Sequence, residues 1–237
     1  MFCIKNLDLV PMKGNRLKPT IFNPRYVSLY KLKNRTIEKI KELTQANKQL
    51  LLADFGCGDM PYREVLEPMV GKYLGIDLDL NPLAEHHIDF DSKTTLPGNY
   101  ADLVLSNQVL EHVDSPAGYL QEAYRILKPG GSMLISTHGY WFYHPTPNDY
   151  WRWTSAGLRR TIEMEGFQIT SFFGIMGLPA SGLQLFQDGI YLKLPGFLKP
   201  LFALLMQTLI ILFDKISSQP QRDRDGAIYV IVAQKPL

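Results

Sequence analysis

Three carboxylates and two glycines carry the clearest chemical signal in the sequence. The run Asp54-Phe55-Gly56-Cys57-Gly58-Asp59-Met60-Pro61 follows a short apolar stretch, and Asp77 stands 21 residues beyond Gly56. Gly56 and Gly58 permit a tight turn whose backbone a ligand can approach closely. An acid that ends the following strand can take a ribose diol, so the spacing points to a ligand with a nucleoside half.

A dinucleotide fits that turn poorly. It would bring a pyrophosphate and favour a third glycine, where this chain has Pro61 and the carboxylates of Asp54 and Asp59. Those acids favour a positively charged ligand instead. S-adenosylmethionine combines a ribose with sulfonium and ammonium groups, and it is the cofactor expected here.

A second cluster follows. Residues 138–154 read HGYWFYHPTPNDYWRWT and contain all three tryptophans of the chain. Aromatic walls with a few polar groups describe a small-ligand pocket, with Tyr140, Tyr150 and Trp151 as candidate substrate walls. The competing reading is a lid whose aromatics anchor it and exclude water. His144 is the candidate catalytic base, Asp149 its orienting acid, and Arg152 an anchor for a substrate carboxylate or phosphate. His112 is a second candidate base, or else orients a helix start or contacts the cofactor loop. Methyl transfer is an in-line displacement at an activated carbon, so alignment alone can suffice and a base is optional.

Both clusters need a scaffold that brings strand ends together. LLLADF at 50–55, KYLGID at 72–77, DLVLS at 102–106 and SMLIST at 132–137 are short apolar runs, the pattern of strands buried on both faces. His87–Phe90 is a weaker third strand, and residues 167–175 and 227–234 supply two late ones. Helices are expected at 35–49, at 116–127 before Lys128-Pro129-Gly130-Gly131, and at 155–165 behind a Thr154 cap. The alternation predicts an α/β fold, a doubly wound, mostly parallel seven-stranded Rossmann-like sheet.

The segments DFGCG (54–58), LGID (74–77), ADLVLSNQVLEHVDSP (101–116) and RILKPGGSMLIST (125–137) closely resemble class I S-adenosylmethionine-dependent methyltransferases, over roughly residues 50–175. The resemblance implies that Asp54, Gly56, Cys57 and Gly58 line the methionine end, that Asp77 binds the ribose hydroxyls, and that Leu78 lies against adenine. It implies an adenine contact from the segment holding Asp89, Phe90 and Asp91, and a methionine contact from Asn107 and Gln108. The later run HPTPNDYWRWTSAGL is similar to a signature of a bacterial branch associated with polysaccharide and cell-surface biosynthesis, which leaves the acceptor open.

Composition sets the remaining bounds. A chain of 237 residues with 46% hydrophobic and 20% charged residues suits one large domain. Cys3 and Cys57 lie far apart, which excludes a disulfide framework and a cysteine-based zinc site, and no metal is expected. Residues 1–50 hold 11 Lys+Arg against 3 Asp+Glu, whereas the remainder holds 14 against 20, so the net charge of +2 is a cancellation. Residues 1–34 are read as a basic arm or lid, and 35–237 as the methyltransferase domain, with 176–225 a helical apolar insertion before the last strand.

The N-terminal residues lack a signal-peptide pattern, so a cytoplasmic, membrane-associated or free, location is expected. Leu201–Phe213 is 13 residues of mostly apolar sequence, too short to span hydrocarbon. It reads as a buried or dimer-forming helix, or as a membrane or lipid-like contact. The favoured activity is methyl transfer to O or N of a small-molecule or glycan-type acceptor. An RNA or protein methyltransferase using the basic arm, and a non-catalytic cofactor-binding subunit, are the alternatives. Nucleic acid is the less favoured partner, because charge runs are usually solvated faces.

Overall fold

A computed structural model describes residues 16–145 and 148–237. The apolar runs form strands as expected: β1 (Leu51–Phe55), β2 (Lys72–Leu78), β3 (His86–Ile88), β4 (Ala101–Asn107), β5 (Leu127–His138), β6 (Gln168–Ile175) and β7 (Ile228–Gln234). They make one sheet in the order β3-β2-β1-β4-β5-β7-β6, parallel except that β7 runs antiparallel to both neighbours. The chain starts at β1 and winds outward in both directions. The carboxyl ends of β1 and β4 therefore diverge side by side, where such sheets bind ligands.

Helices cover both faces. On one, α3 (Pro116–Ile126) and α4 (Ser155–Met164) bury Tyr119, Leu120, Ile126, Leu158 and Ile162. Both start on side-chain caps: Ser115 accepts from the Gly118 N–H, and Thr154 from that of Gly157. On the other face lie α1 (Tyr26–Thr44), the short α2 (Arg63–Leu66) with a following 3-10 turn, and α5 (Leu178–Tyr191) and α6 (Lys199–Asp214). A final helix, α7 (Gln219–Asp225), leads into β7 through a capping box of Ser218 and Gln221.

The structure moves several boundaries, among them the start of the fifth strand, which begins at Leu127 and takes in residues 128–131, and the end of the first helix, at Thr44. The first helix starts at Tyr26 rather than Arg35, because Val27, Leu29 and Leu32 continue its buried stripe. Of the basic segment 1–34, residues 1–15 lie outside the described residues, and 26–34 form the first turns of a core helix. The third strand ends at Ile88, which leaves Phe90 beyond it and exposed.

A polar clamp joins the α5–α6 pair to the start of α1. The Gln184, Gln187 and Gln207 side chains all donate to the Pro24 carbonyl, at 3.0, 2.7 and 2.9 Å. Gln207 Oε1 accepts from the Val27 N–H at 2.9 Å, answering a donor that a helix start leaves orphaned. Arg25 pairs with Asp188, and Lys31 with Asp214. Replacing Gln207 with Leu keeps the volume but strands these buried groups. Gln207→Leu is expected to cost about 2–4 kcal/mol, read as a lower urea midpoint at unchanged slope. An unshifted midpoint would show that the clamp does not hold the helices.

Candidate functional site

The glycine turn after β1 is built for close approach. Gly56 has φ +83°, and a Cβ there would meet the Val109 methyl groups at 2.6 Å. Gly58 has φ +54°, with open space where a Cβ would project, so the backbone itself faces a ligand. The N–H groups of Gly56 and Cys57 donate to the Ile76 carbonyl, which fastens the turn to β2. Tyr119 of α3 is hydrogen-bonded to Phe55 O at 2.7 Å and to Ser106 Oγ at 2.8 Å, which sets the ends of β1 and β4 from below.

Asp77 is preorganised at the rim. Its Oδ2 accepts from Gly58 N–H at 2.7 Å and from Asn81 Nδ2 at 2.8 Å, and its Oδ1 from Leu78 N–H at 2.8 Å. Asp54 lies deeper. Burial, foremost, pushes its carboxyl up to about 7, with Asp77 and Asp59 adding repulsion against the hydrogen bond from Tyr73. Among the described residues no cation is seen to answer this buried carboxyl. A ribose-bearing cation fits both parts: Asp77 presents acceptor oxygens to hydroxyls, and Asp54 becomes stable as an anion beside positive charge.

The other donor-side residues are placed as follows. Cys57 turns its thiol under Gly75 and Met60, and burial with nearby Asp54 raises it to about 12, so this sulfur stays a protonated, unreactive thiol. Leu78 is half-buried beside Asp77. Asp89 Oδ1 is spent on the Lys93 N–H within its own loop, whereas Asp91 and Phe90 are exposed. Gln108 holds φ +61°, rare for a residue with a side chain, and donates its N–H to Ser136 O at 2.9 Å; Asn107 accepts from the Ser136 hydroxyl. Backbone strain of this kind is retained where surroundings enforce it, often at functional sites.

The acceptor loop closes over the ends of β4 and β5. His112 Nδ1 meets the Asn148 carbonyl at 2.5 Å, so this nitrogen carries the proton and the ring pins the loop. Trp151 Nε1 donates to Val113 O, and Trp153 N–H to His138 O. Trp141 stacks on His138 at 4.7 Å. Tyr140, Tyr143 and Tyr150 remain exposed on the loop.

Arg152, expected to anchor a substrate anion, has its guanidinium occupied within the loop. Its guanidinium forks onto both Asp149 oxygens at 2.6 and 2.5 Å and caps the carbonyls of Trp141, Phe142 and Trp151. Although burial works the other way, that fork, with the His144 N–H, holds the Asp149 carboxyl down at about 2. Asp149 Oδ2 also lies 3.3 Å from His144 Nδ1.

One set of atoms at this end was not singled out by the sequence reading. A carboxylate oxygen of Glu111 and one ring nitrogen each of His138 and His144 lie within 4.8 Å of one another. Glu111 Oε2 accepts from Thr137 Oγ1 at 2.8 Å, which leaves Oε1 2.7 Å from His138 Nδ1. Glu111 Oε1, His138 Nδ1 and His144 Nδ1 are nevertheless buried without a hydrogen bond of acceptable geometry. Burial holds His138 below the ordinary imidazole range despite Glu111, and holds His144 down at about 4, so both are neutral at neutral pH. Residues 107–112 connect this trio to the donor turn, because Val109 packs over Gly56.

Because only ionised Asp54 answers positive charge, affinity for S-adenosylmethionine is expected to climb as pH rises through about 7 and level off above it. Calorimetric titration across the neutral range checks this, with Asp54→Asn flattening the profile. A flat profile in the unaltered protein would remove Asp54 from cofactor binding.

A family model described as a methyltransferase domain matches residues 29–168, more than half of the chain. The chain is 25% identical over 135 residues to a Mycolicibacterium smegmatis protein named "Probable S-adenosylmethionine-dependent methyltransferase", covering 51% of this chain and 52% of that one. It is 32% identical over 125 residues to the ubiquinone biosynthesis O-methyltransferase of Hydrogenovibrio crunogenus, covering 46% and 51%. It thus spans about half the length of these curated relatives. Among solved structures, Haemonchus contortus phosphoethanolamine N-methyltransferase 2 with bound S-adenosylmethionine shares the fold at TM-score 0.56 and 19% identity, over 86% of this chain and 53% of that one. With a Rossmann-like sheet, a glycine turn at its switch point and carboxylates placed for a ribose-bearing cation, the chain belongs to the S-adenosylmethionine-dependent methyltransferase family.

Proposed function

We propose that this chain transfers a methyl group from S-adenosylmethionine to a hydroxyl oxygen of a small-molecule or glycan-type acceptor. The observation that carries this is the cluster of buried polar atoms on Glu111, His138 and His144 beside the glycine turn. Glu111 Oε1 lies 2.7 Å from His138 Nδ1, and His144 Nδ1 3.3 Å from Asp149, without well-directed hydrogen bonds. Buried polar groups ordinarily have partners, and an acceptor hydroxyl both donates and accepts. S-adenosylmethionine supplies a methyl carbon activated by positive sulfur. As the new C–O bond forms, the methyl–sulfur bond would break with its electron pair left on the departing thioether, S-adenosylhomocysteine. The hydroxyl proton becomes strongly acidic, so a weak neutral base is enough to take it. His144, free of its proton at neutral pH and flanked by Asp149, is that base.

Oxygen is favoured over nitrogen because a methylated amine holds its proton far above the range of His144. The curated relatives from Hydrogenovibrio crunogenus and Rattus norvegicus are both named as ubiquinone biosynthesis O-methyltransferases, which supports oxygen. The RNA reading loses support from the described basic residues. Arg25, Lys31, Arg35 and Lys39 each pair with a carboxylate of this chain. The donor turn, with both glycines and Asp77 in place, supports catalysis over a purely structural subunit.

A screen of sugars, phenols and lipid-linked glycans with methyl-labelled donor identifies the acceptor. His144→Ala is then expected to lower kcat about 10²-fold or more while leaving donor affinity unchanged. The unaltered enzyme should hold its rate through neutral pH and lose it towards about 4, as His144 gains a proton. An unchanged rate and pH profile in His144→Ala removes it as the base. A rate abolished by EDTA and restored by a divalent cation would reassign the trio to a metal.

A further inference from the structure

A surface helix normally turns its polar side outward, and α5 does the reverse. Its buried face carries Ser181, Gln184 and Gln187, whereas Leu178, Leu185 and Phe186 are exposed. The neighbouring α6 buries Ala203, Met206, Gln207 and Ile210, yet its outer stripe is Leu201, Leu205 and Leu212. Phe197, 82% exposed, and Ile216 extend this surface at the two ends of α6. Contiguous exposed apolar area of this kind marks an interaction site.

The charge around the face selects the partner. Between residues 176 and 216 the only acids are Asp188 and Asp214, and both are buried in pairs with Arg25 and Lys31. The cations of the same segment are Lys193, Lys199 and Lys215. Two copies packed face to face would bring these lysines together, whereas anionic headgroups would neutralise them. Among the described residues no single helix is long and apolar enough to cross a membrane, although α6 and α7 pass that test together as a pair bent by 116°. A helix pair with an apolar outer face and flanking lysines suits the interface.

We propose that the outer face of α5 and α6 docks on the surface of an anionic lipid bilayer. The acceptor loop is joined to the inner side of α5, where Arg25, paired with buried Asp188, lies 4.1 Å over Phe142 and 5.3 Å over Trp141, so one helix separates the loop from the docked face. Resting on the methyl-transfer reading above, such docking assigns the acceptor a lipid anchor.

The test is co-sedimentation of the full chain with vesicles of phosphatidylcholine, with and without phosphatidylglycerol. Binding is expected to the anionic vesicles, weaker to the neutral ones and falling with salt. The exposed substitutions Phe186→Glu with Leu205→Glu should weaken it about tenfold or more at an unchanged thermal midpoint. Their methyl transfer to a water-soluble acceptor should stay intact, which separates failure of docking from failure of the chemistry. No sedimentation, equal sedimentation of the glutamate variant, or a dimer in solution that those substitutions dissociate would overturn the proposal.

Discussion

A buried carboxyl that no described residue answers with a positive charge is the constraint around which the donor half is arranged. Asp54 sits at the end of a central strand, between Gly75 of β2 and Leu105 of β4 in register, where solvent cannot help it. Tyr73 offers one hydrogen bond, and the nearest charges, Asp77 and Asp59, are of the wrong sign. With its carboxyl raised from 3.8 to about 7, the ligand-free fold is penalised progressively as pH rises through that window, since the unfolded chain ionises freely. A cationic ligand removes the penalty. Binding and fold stability are therefore linked through one side chain.

The acceptor half obeys the same logic with neutral groups. Among the described residues of the 138–154 loop, Arg152 is spent on Asp149 and three carbonyls, while Asn148 and Trp151 are tied to His112 and Val113 just after β4. That self-satisfaction fixes the loop's shape over the strand ends. It also makes the exceptions informative, because Glu111, His138 and His144 face one another in close contact without well-directed hydrogen bonds. Val109, packed on Gly56 two residues before Glu111, ties the two halves into one site.

The strands, their order along the chain, the donor turn and Asp77 were legible because each is a local pattern: apolar runs, glycines and one spaced acid. The trio was not, because Glu111 and His138 lie 27 positions apart and meet only through the pairing of β4 with β5. The internal pairing of Arg152 was hidden for a related reason. Its fork is filled by Asp149 three residues earlier, a spacing visible in sequence whose geometry is not. The 13-residue apolar run at 201–213 was legible as a helix, but its burial was not uniform. Gln207, which breaks the run, marks the inward face, and the leucines around it point out.

The central claim is that a cation completes Asp54. Calorimetry of S-adenosylmethionine binding at pH 7 in buffers of different ionisation enthalpy measures protons exchanged on binding. A carboxyl near 7 that becomes fully ionised in the complex releases about half a proton per cofactor bound, and none in Asp54→Asn. Absence of saturable binding, or an apparent enthalpy identical in every buffer, would contradict the account.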